Sequence, residues 1–353
     1  MQKRLRDFGI RIGRLPTGVL NKITDVPGVL VGHHTIEEEQ HHTGVTVILP
    51  ASDNVFAHKL VAAGYVHNGF GKTCGLPQVQ ELGTLETPIA LTNTLNVGLV
   101  ADALVEYTLV QCRKDGTRAL SINPVVGECN DCRINRIQDR IVELPEVNFA
   151  LQAAREDFEE GCVGAGTGTV CYGLKGGIGS SSRALSLGGK NFTIGALVQA
   201  NFGATEDFVL DGQPLGVKLK GLLHKLSLSE QDQGSIMTVI ATDLPVSSRQ
   251  LYRLIRRAGA GIARTGGYTG HGSGEIMLGF STANRICPGY DPDICTASFV
   301  REDLLNQAFL ATAEAVQEAV LNALVTAKTT MGLKGELYYS LAELLPLVHL
   351  KRT

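Results

Sequence analysis

The chain of 353 residues contains no tryptophan, and its aromatic residues amount to 5%. It has no long apolar run of about 18 residues, so a membrane-crossing helix is not expected. The opening MQKRLRDFGIRIGRLPTG carries basic residues but no apolar core of the kind an export signal needs, and a cytoplasmic address is the expectation. Charge of one sign is missing as well: 32 basic residues face 35 acidic ones without a basic block. That balance leaves no electrostatic footprint for nucleic acid or an anionic membrane and favours a small-molecule or peptide partner. There is no GxSxG elbow, which argues against an α/β-hydrolase. Gly71-Lys-Thr73 lacks the glycine a phosphate loop requires, since Val66 stands there. Gly164-Ala-Gly-Thr-Gly168 lacks the spacing of a dinucleotide loop. No cofactor is expected.

Glycine, by contrast, is abundant at 41 residues, against a usual share of about 7%. Many backbone positions must therefore be tight. Eight scattered cysteines in a long chain are expected to be reduced thiols. Cys129-Asn-Asp-Cys132 forms a CxxC, but no second pair follows to complete a zinc site, so no metal is expected. His33, His34, His41 and His42 flank Glu37-Glu-Glu39, and are expected to form a solvated loop rather than a metal site.

Three β-rich runs, 44–49, 88–93 and 192–198, are bounded by Gly, Pro or Asn as strands usually are. An amphipathic helix is predicted from an N-cap at Ser247, with Leu251, Leu254, Ile255, Ala258 and Ile262 on one face. A second helix, roughly 302–328, is apolar around most of its circumference and must be covered on more than one side. Strands and buried helices together predict a layered α/β or α+β sandwich.

One junction is abrupt. Residues 226–234 are polar and short-chained and are predicted to be an exposed loop; Ser235-Ile-Met-Thr-Val-Ile-Ala-Thr242 follows at once as a buried strand. On its own, Gly234-Ser235 is an ordinary turn into a strand. It also permits a particular chemistry. A serine hydroxyl needs a base, and a free α-amine on the same residue serves because its pKa of about 7.7–8.0 lies near neutrality. Attack of the hydroxyl on the preceding carbonyl, an N-to-O shift and hydrolysis of the ester would expose that amine, and glycine before the serine relieves the crowding. Further on, Ser273 and Glu275 stand two apart at the mouth of another strand, where a hydroxyl and a carboxylate point together. The plainer reading there is a Gly-rich turn with an exposed Glu.

Along nearly the whole chain, ordered segments resemble the L-aminopeptidase D-amidase/D-esterase (D-aminopeptidase) family, which includes the β-aminopeptidases. They are 4–10, 21–33, Gly164-Ala-Gly-Thr-Gly168, 175–183, Val198-Gln-Ala-Asn-Phe-Gly203 and Gly234-Ser-Ile236. The resemblance implies a four-layer αββα sandwich in one domain, similar to N-terminal-nucleophile hydrolases but distinct in topology. It implies self-cleavage between Gly234 and Ser235 into residues 1–234 and 235–353, with higher oligomers of the processed pairs. It makes Ser235 the nucleophile, Ser273 and Glu275 its assistants, and Asn201 an oxyanion donor. Peptides and amino-acid amides or esters are the implied substrates. One position departs from the family: where its well-studied members carry an aromatic residue two after a pocket glutamate, Glu128 here is followed by Asn130. The pocket is thus more polar there, and Glu128 is a candidate for binding a substrate's free amine. Two alternatives are an acyltransferase of the ornithine acetyltransferase type, which cuts before threonine, and an unprocessed binding protein.

Overall fold

A computed structural model of the chain describes residues 2–223, 234–287, 294 and 296–348. Residues 226–233 of the loop expected over 226–234, and the thiol of Cys295, lie outside the described residues.

Among the described residues, the two main sheets are built from ten strands. The first sheet holds β1 (Leu30–Glu38), β2 (His41–Leu49), β5 (Ile89–Asn93) and β6 (Val125–Cys129) in the order β1-β2-β5-β6. The second holds β3 (Lys59–Gly69), β4 (Thr84–Leu85), β7 (Gly177–Leu187), β8 (Lys190–Asn201), β9 (Ser235–Thr242) and β10 (Gly274–Ile286), in the order β4-β3-β10-β9-β8-β7. Between the sheets lies one apolar layer that includes Ile48, Leu91, Leu197, Met237, Val239 and Leu278. Helices α1 (Val97–Asp115) and α2 (Leu144–Gln152) cover the outer side of the first sheet through Val100, Leu104 and Val147. Helices α3 (Ser248–Ile255), α4 (Ala258–Ala263) and α5 (Leu305–Thr326) cover the second. The result is the αββα stack expected from the family resemblance.

All eight residues of β9 are buried, which is why its sequence reads as a continuous β-branched run instead of an alternating one. The strand is antiparallel to β8 and parallel to β10. A parallel neighbour requires a crossover, and α3 and α4 supply it.

The helix expected to run unbroken from Ser247 is two helices. Ser247 does cap the first, its hydroxyl accepting from the Gln250 N–H at 3.2 Å. At Arg256 and Arg257 the chain turns, and Gly261 of α4 then lies against the backbone of α5, where a Cβ would stand 2.6 Å from the Ala313 carbonyl oxygen. Close helix packing outweighs continuity of the pattern. Residues Glu302–Thr326 are long and apolar enough to cross a membrane, contrary to the expectation, but 89% of the apolar stretch is buried inside the protein.

The histidines also depart from expectation. They lie on a regular hairpin, not in a solvated loop: β1 and β2 pair with Glu38 opposite His41 and Glu37 opposite His42. His33 is fixed by Glu159 O at 3.1 Å and Thr46 Oγ1 at 2.9 Å. A carbonyl can only accept, so the ring proton sits on Nε2 and Nδ1 accepts from Thr46. Burial pushes this imidazole down to about 3.

Polar side chains on α5 are buried and paired. Arg183, fully buried on β7, contacts Glu314 at 3.1 Å and Glu318 at 2.7 Å, and Arg6 reaches Glu318 at 2.7 Å. Glu314 also accepts from the backbone N–H groups of Arg14 and Leu15. This network ties the N-terminal segment, β7 and α5 together. Removing one partner from a buried pair leaves an uncompensated charge. Arg183→Met is therefore expected to destabilise the fold by about 3–5 kcal/mol, read as a fall in the denaturant midpoint; an unchanged midpoint would refute the structural role given to the network.

Candidate active site

The Gly234–Ser235 peptide enters the second sheet between two strands. Ser235 sits opposite Asn201 on β8 and opposite Gly274 on β10. A Cβ on Gly234 would lie 2.1 Å from the Asn201 carbonyl oxygen and 2.6 Å from Phe202 Cα, so only glycine fits. The Gly234 carbonyl accepts a hydrogen bond from the Gly274 N–H at 3.1 Å. Below, the Cys129 thiol lies 3.4 Å from the Ser235 carbonyl oxygen. Cys129 is fully buried whereas Cys132 is exposed. The two are free and face different surroundings, so the CxxC spacing has a packing explanation.

Alternation along the strands separates the site's groups. Met237 and Val239 project into the layer between the sheets, and Ser235 shares their side; Leu197 fixes the same side for Asn201 on β8. On β10 it is Ile276 and Leu278 that face this layer, which puts Glu275 on the other side. Ser273 Oγ donates to Glu275 Oε1 at 2.8 Å, and both residues are buried. The Asn68 amide holds the turn before the strand by donating to the carbonyls of Ser273 and Gly270. The serine and carboxylate thus form one unit, which lies on the opposite side of the sheet from the Ser235 side chain.

Asn201 Oδ1 accepts from the Val170 N–H at 2.9 Å. This bond commits the carbonyl end of the amide and so fixes which end is NH2. Val170 is presented by a turn over residues 164–169, and that turn is held from beneath by Lys175. The lysine is fully buried, and its ammonium donates to the carbonyls of Gly166, Thr169 and Gly176 at 3.1, 2.9 and 3.0 Å. No side-chain pattern points to Val170, because its contribution is a backbone N–H. Lys175 lies within a segment of the resemblance, yet only the fold shows what it holds.

Ser235 and Asn201 open into a cleft of about 450 Å3 lined also by Phe70, Lys72, Thr94, Glu128, Asn130 and Arg133. Ser273 and Glu275 do not line it. Glu128, at the end of β6, is buried; its Oε1 accepts from the Lys72 N–H at 2.9 Å, and Oε2 accepts from the Thr94 hydroxyl. Asn130 is exposed, its Oδ1 accepting from the Cys132 N–H at 3.0 Å. Thr94 and Arg133 were not singled out in the sequence, since neither lies in a recognisable pattern.

Between these pocket residues, Asp131 turns inward. It accepts from the Thr43 hydroxyl at 2.6 Å and from the Asn135 amide at 3.0 Å, and burial pushes its carboxyl up to about 7. An unfolded Asp titrates near 4. Folding thus favours the protonated form, and the stability this contributes is present in acid and lost as pH rises from about 4 to about 7. Asn reproduces the neutral acid, accepting from Asn135 and donating to Thr43. Relative to the parent, Asp131→Asn is expected to gain stability progressively as pH is raised across that window. Denaturant midpoints at pH 4.5, 6 and 8 check this; a difference independent of pH would reject it.

A buried serine at the head of a central strand, in an αββα stack, defines a variant of the N-terminal-nucleophile hydrolase architecture. Comparison with known proteins places the chain within it. Residues 21–338 match the model of peptidase family S58, and the chain belongs to that family. It is 36% identical, over 96% of its own length and 88% of the relative's, to the β-peptidyl aminopeptidase BapA of Sphingosinicella xenopeptidilytica. Among solved structures it resembles the PH0078 protein of Pyrococcus horikoshii OT3 at TM-score 0.90 and 44% identity, with 98% of each chain covered. It also resembles a β-aminopeptidase from Burkholderia sp. at TM-score 0.89 and 39% identity, covering 99% of this chain and 100% of that one. The L-aminopeptidase D-Ala-esterase/amidase of Ochrobactrum anthropi, described as a new variant of the Ntn hydrolase fold, follows at TM-score 0.88 and 35% identity, with 96% and 95% covered. The chain is thus a serine-type aminopeptidase/amidase, and the acyltransferase alternative is not favoured by these relatives.

Proposed function

We propose that this enzyme matures by cutting its own chain between Gly234 and Ser235, and that residues 1–234 and 235–353 then work as one processed unit that assembles into oligomers. The observation that carries this reading is the Gly234 carbonyl held by the Gly274 N–H. A hydrogen-bond donor at that oxygen stabilises the negative charge that develops when the Ser235 hydroxyl adds to the carbon. The N-to-O shift leaves an ester, and its hydrolysis frees the α-amine of Ser235.

In turnover that amine takes the proton of the Ser235 hydroxyl as it attacks a substrate carbonyl. The Ser273–Glu275 unit orients the amine from behind the sheet. The Asn201 NH2 group and a backbone N–H receive the oxyanion, and Glu128 receives the substrate's free amine. The ammonium so formed gives that proton to the departing amine or alcohol as the tetrahedral intermediate collapses to an acyl-enzyme, and water, activated by the α-amine thus freed, releases the acyl group. Substrates are short peptides and amino-acid amides or esters.

Ser235→Ala is expected to remain a single full-length species on denaturing electrophoresis, whereas the parent yields fragments of roughly two-thirds and one-third, the smaller beginning Ser-Ile-Met. A variant that still splits and still hydrolyses an amino-acid p-nitroanilide would rule out Ser235 as nucleophile. Asn201→Ala is expected to lower kcat by about 10²–10³ with little change in KM; equal kcat in steady-state kinetics of the processed variant would remove Asn201 from the oxyanion site.

A further inference from the structure

The cleft carries more positive charge than recognition of a free amine needs. Glu128 is its buried anion, with both oxygens already anchored and each retaining a lone pair for a substrate ammonium. Arg133 is half-buried in the same cleft, and among the described residues its guanidinium has no ion pair and no hydrogen bond. Most of the chain's other inward-facing arginines are anchored: Arg183 and Arg6 on glutamates, and Arg4 on Glu160. Lys72 adds a second cation at the rim, its ammonium resting 4.5 Å from the centre of the Phe70 ring. A planar, permanently charged fork left open at a substrate cleft matches a carboxylate, which it can grip with two parallel hydrogen bonds.

Resting on the aminopeptidase reading above, we infer that Arg133 is a specificity residue for a substrate carboxylate, with Lys72 in support. The cleft then takes substrates that carry both a free amine, at Glu128, and a negative charge near the scissile bond. Two sources have that chemistry: the C-terminal carboxylate of a dipeptide, and an acidic side chain on the residue released. At about 450 Å3 the cleft lies toward the small end of ligand-sized cavities, about 300–1,000 Å3, which suits a short substrate whose two charged ends lie close together.

The test uses the processed enzyme and four substrates: alanyl-alanine, its C-terminal amide, and the p-nitroanilides of aspartate and asparagine. The expected result is a kcat/KM at least about tenfold higher for one acidic member over its neutral partner; which pair shows it identifies the source. In Arg133→Met that preference is expected to fall by about ten- to a hundredfold, through KM more than kcat, and in Arg133→Lys to return in part. Hydrolysis of the neutral substrates should change by less than about threefold, which also shows that the variants fold. Equal rates on acidic and neutral partners in the parent, or a preference untouched in Arg133→Met, would overturn the carboxylate role and leave the aminopeptidase reading standing. No hydrolysis of any of the four substrates by processed parent enzyme would overturn both.

Discussion

The Gly234–Ser235 peptide has no freedom of position. On one side the backbone of β8 comes so near that a Cβ at 234 would stand 2.1 Å from the Asn201 oxygen; on the other the Gly274 N–H takes the Gly234 carbonyl. Every other feature of the site refers to this peptide. With the carbonyl direction fixed, the strand period fixes where the serine hydroxyl points, which is into the layer between the sheets, next to the end of β6 where Glu128 lies. Substituting any larger residue at 234 would have to move a central strand that is buried along its whole length, and packed interiors yield poorly to such shifts.

The second sheet therefore acts as a partition. Ser235, Asn201, Glu128 and Arg133 line the cleft. Groups assigned to the α-amine, Ser273 and Glu275, are buried and absent from the cleft lining. Between the cleft lining and the buried Ser273–Glu275 pair lies the backbone at the head of β9, where Ser235 pairs with Gly274. An α-amine suits that place, since it is the one basic group that is itself part of the backbone. A histidine base would need its own side chain on the cleft side and would occupy space meant for substrate.

The strand at 235–242 was legible because it is buried on both faces and so shows an unbroken apolar run. The junction with glycine was legible as a place, while the reason for glycine lies in the approach of Asn201, 33 residues earlier in the chain, which no local pattern encodes. The site's other support is of the same kind. Val170 acts through its N–H, and Lys175 acts through three carbonyls, two of them in the turn over 164–169 and the third that of Gly176; backbone groups are common to every residue and leave no trace in composition. The helix over 248–263 failed as a single element because its period was right but Gly261 had a tertiary reason to approach Ala313. The histidine hairpin was misjudged because charged and imidazole side chains cluster there as in a loop, whereas the buried Thr46 hydroxyl and the Glu159 carbonyl fix His33 on a regular strand.

Asn130 links the pocket to its charge. Its carbonyl oxygen is engaged by the Cys132 N–H, and a polar amide stands where the family resemblance implies an aromatic ring. Losing a ring face forfeits apolar contact worth about 0.8 kcal/mol for each methylene-sized group buried. A charge-assisted hydrogen bond contributes about 1.5–3 kcal/mol, so one guanidinium engaging one carboxylate offsets several lost methylene contacts. On the proposal that Arg133 grips a substrate carboxylate, a cleft with a buried Glu128 and an open Arg133 would discriminate among substrates by where their charges lie, an uncharged analogue being disfavoured because it leaves the cation unpaired.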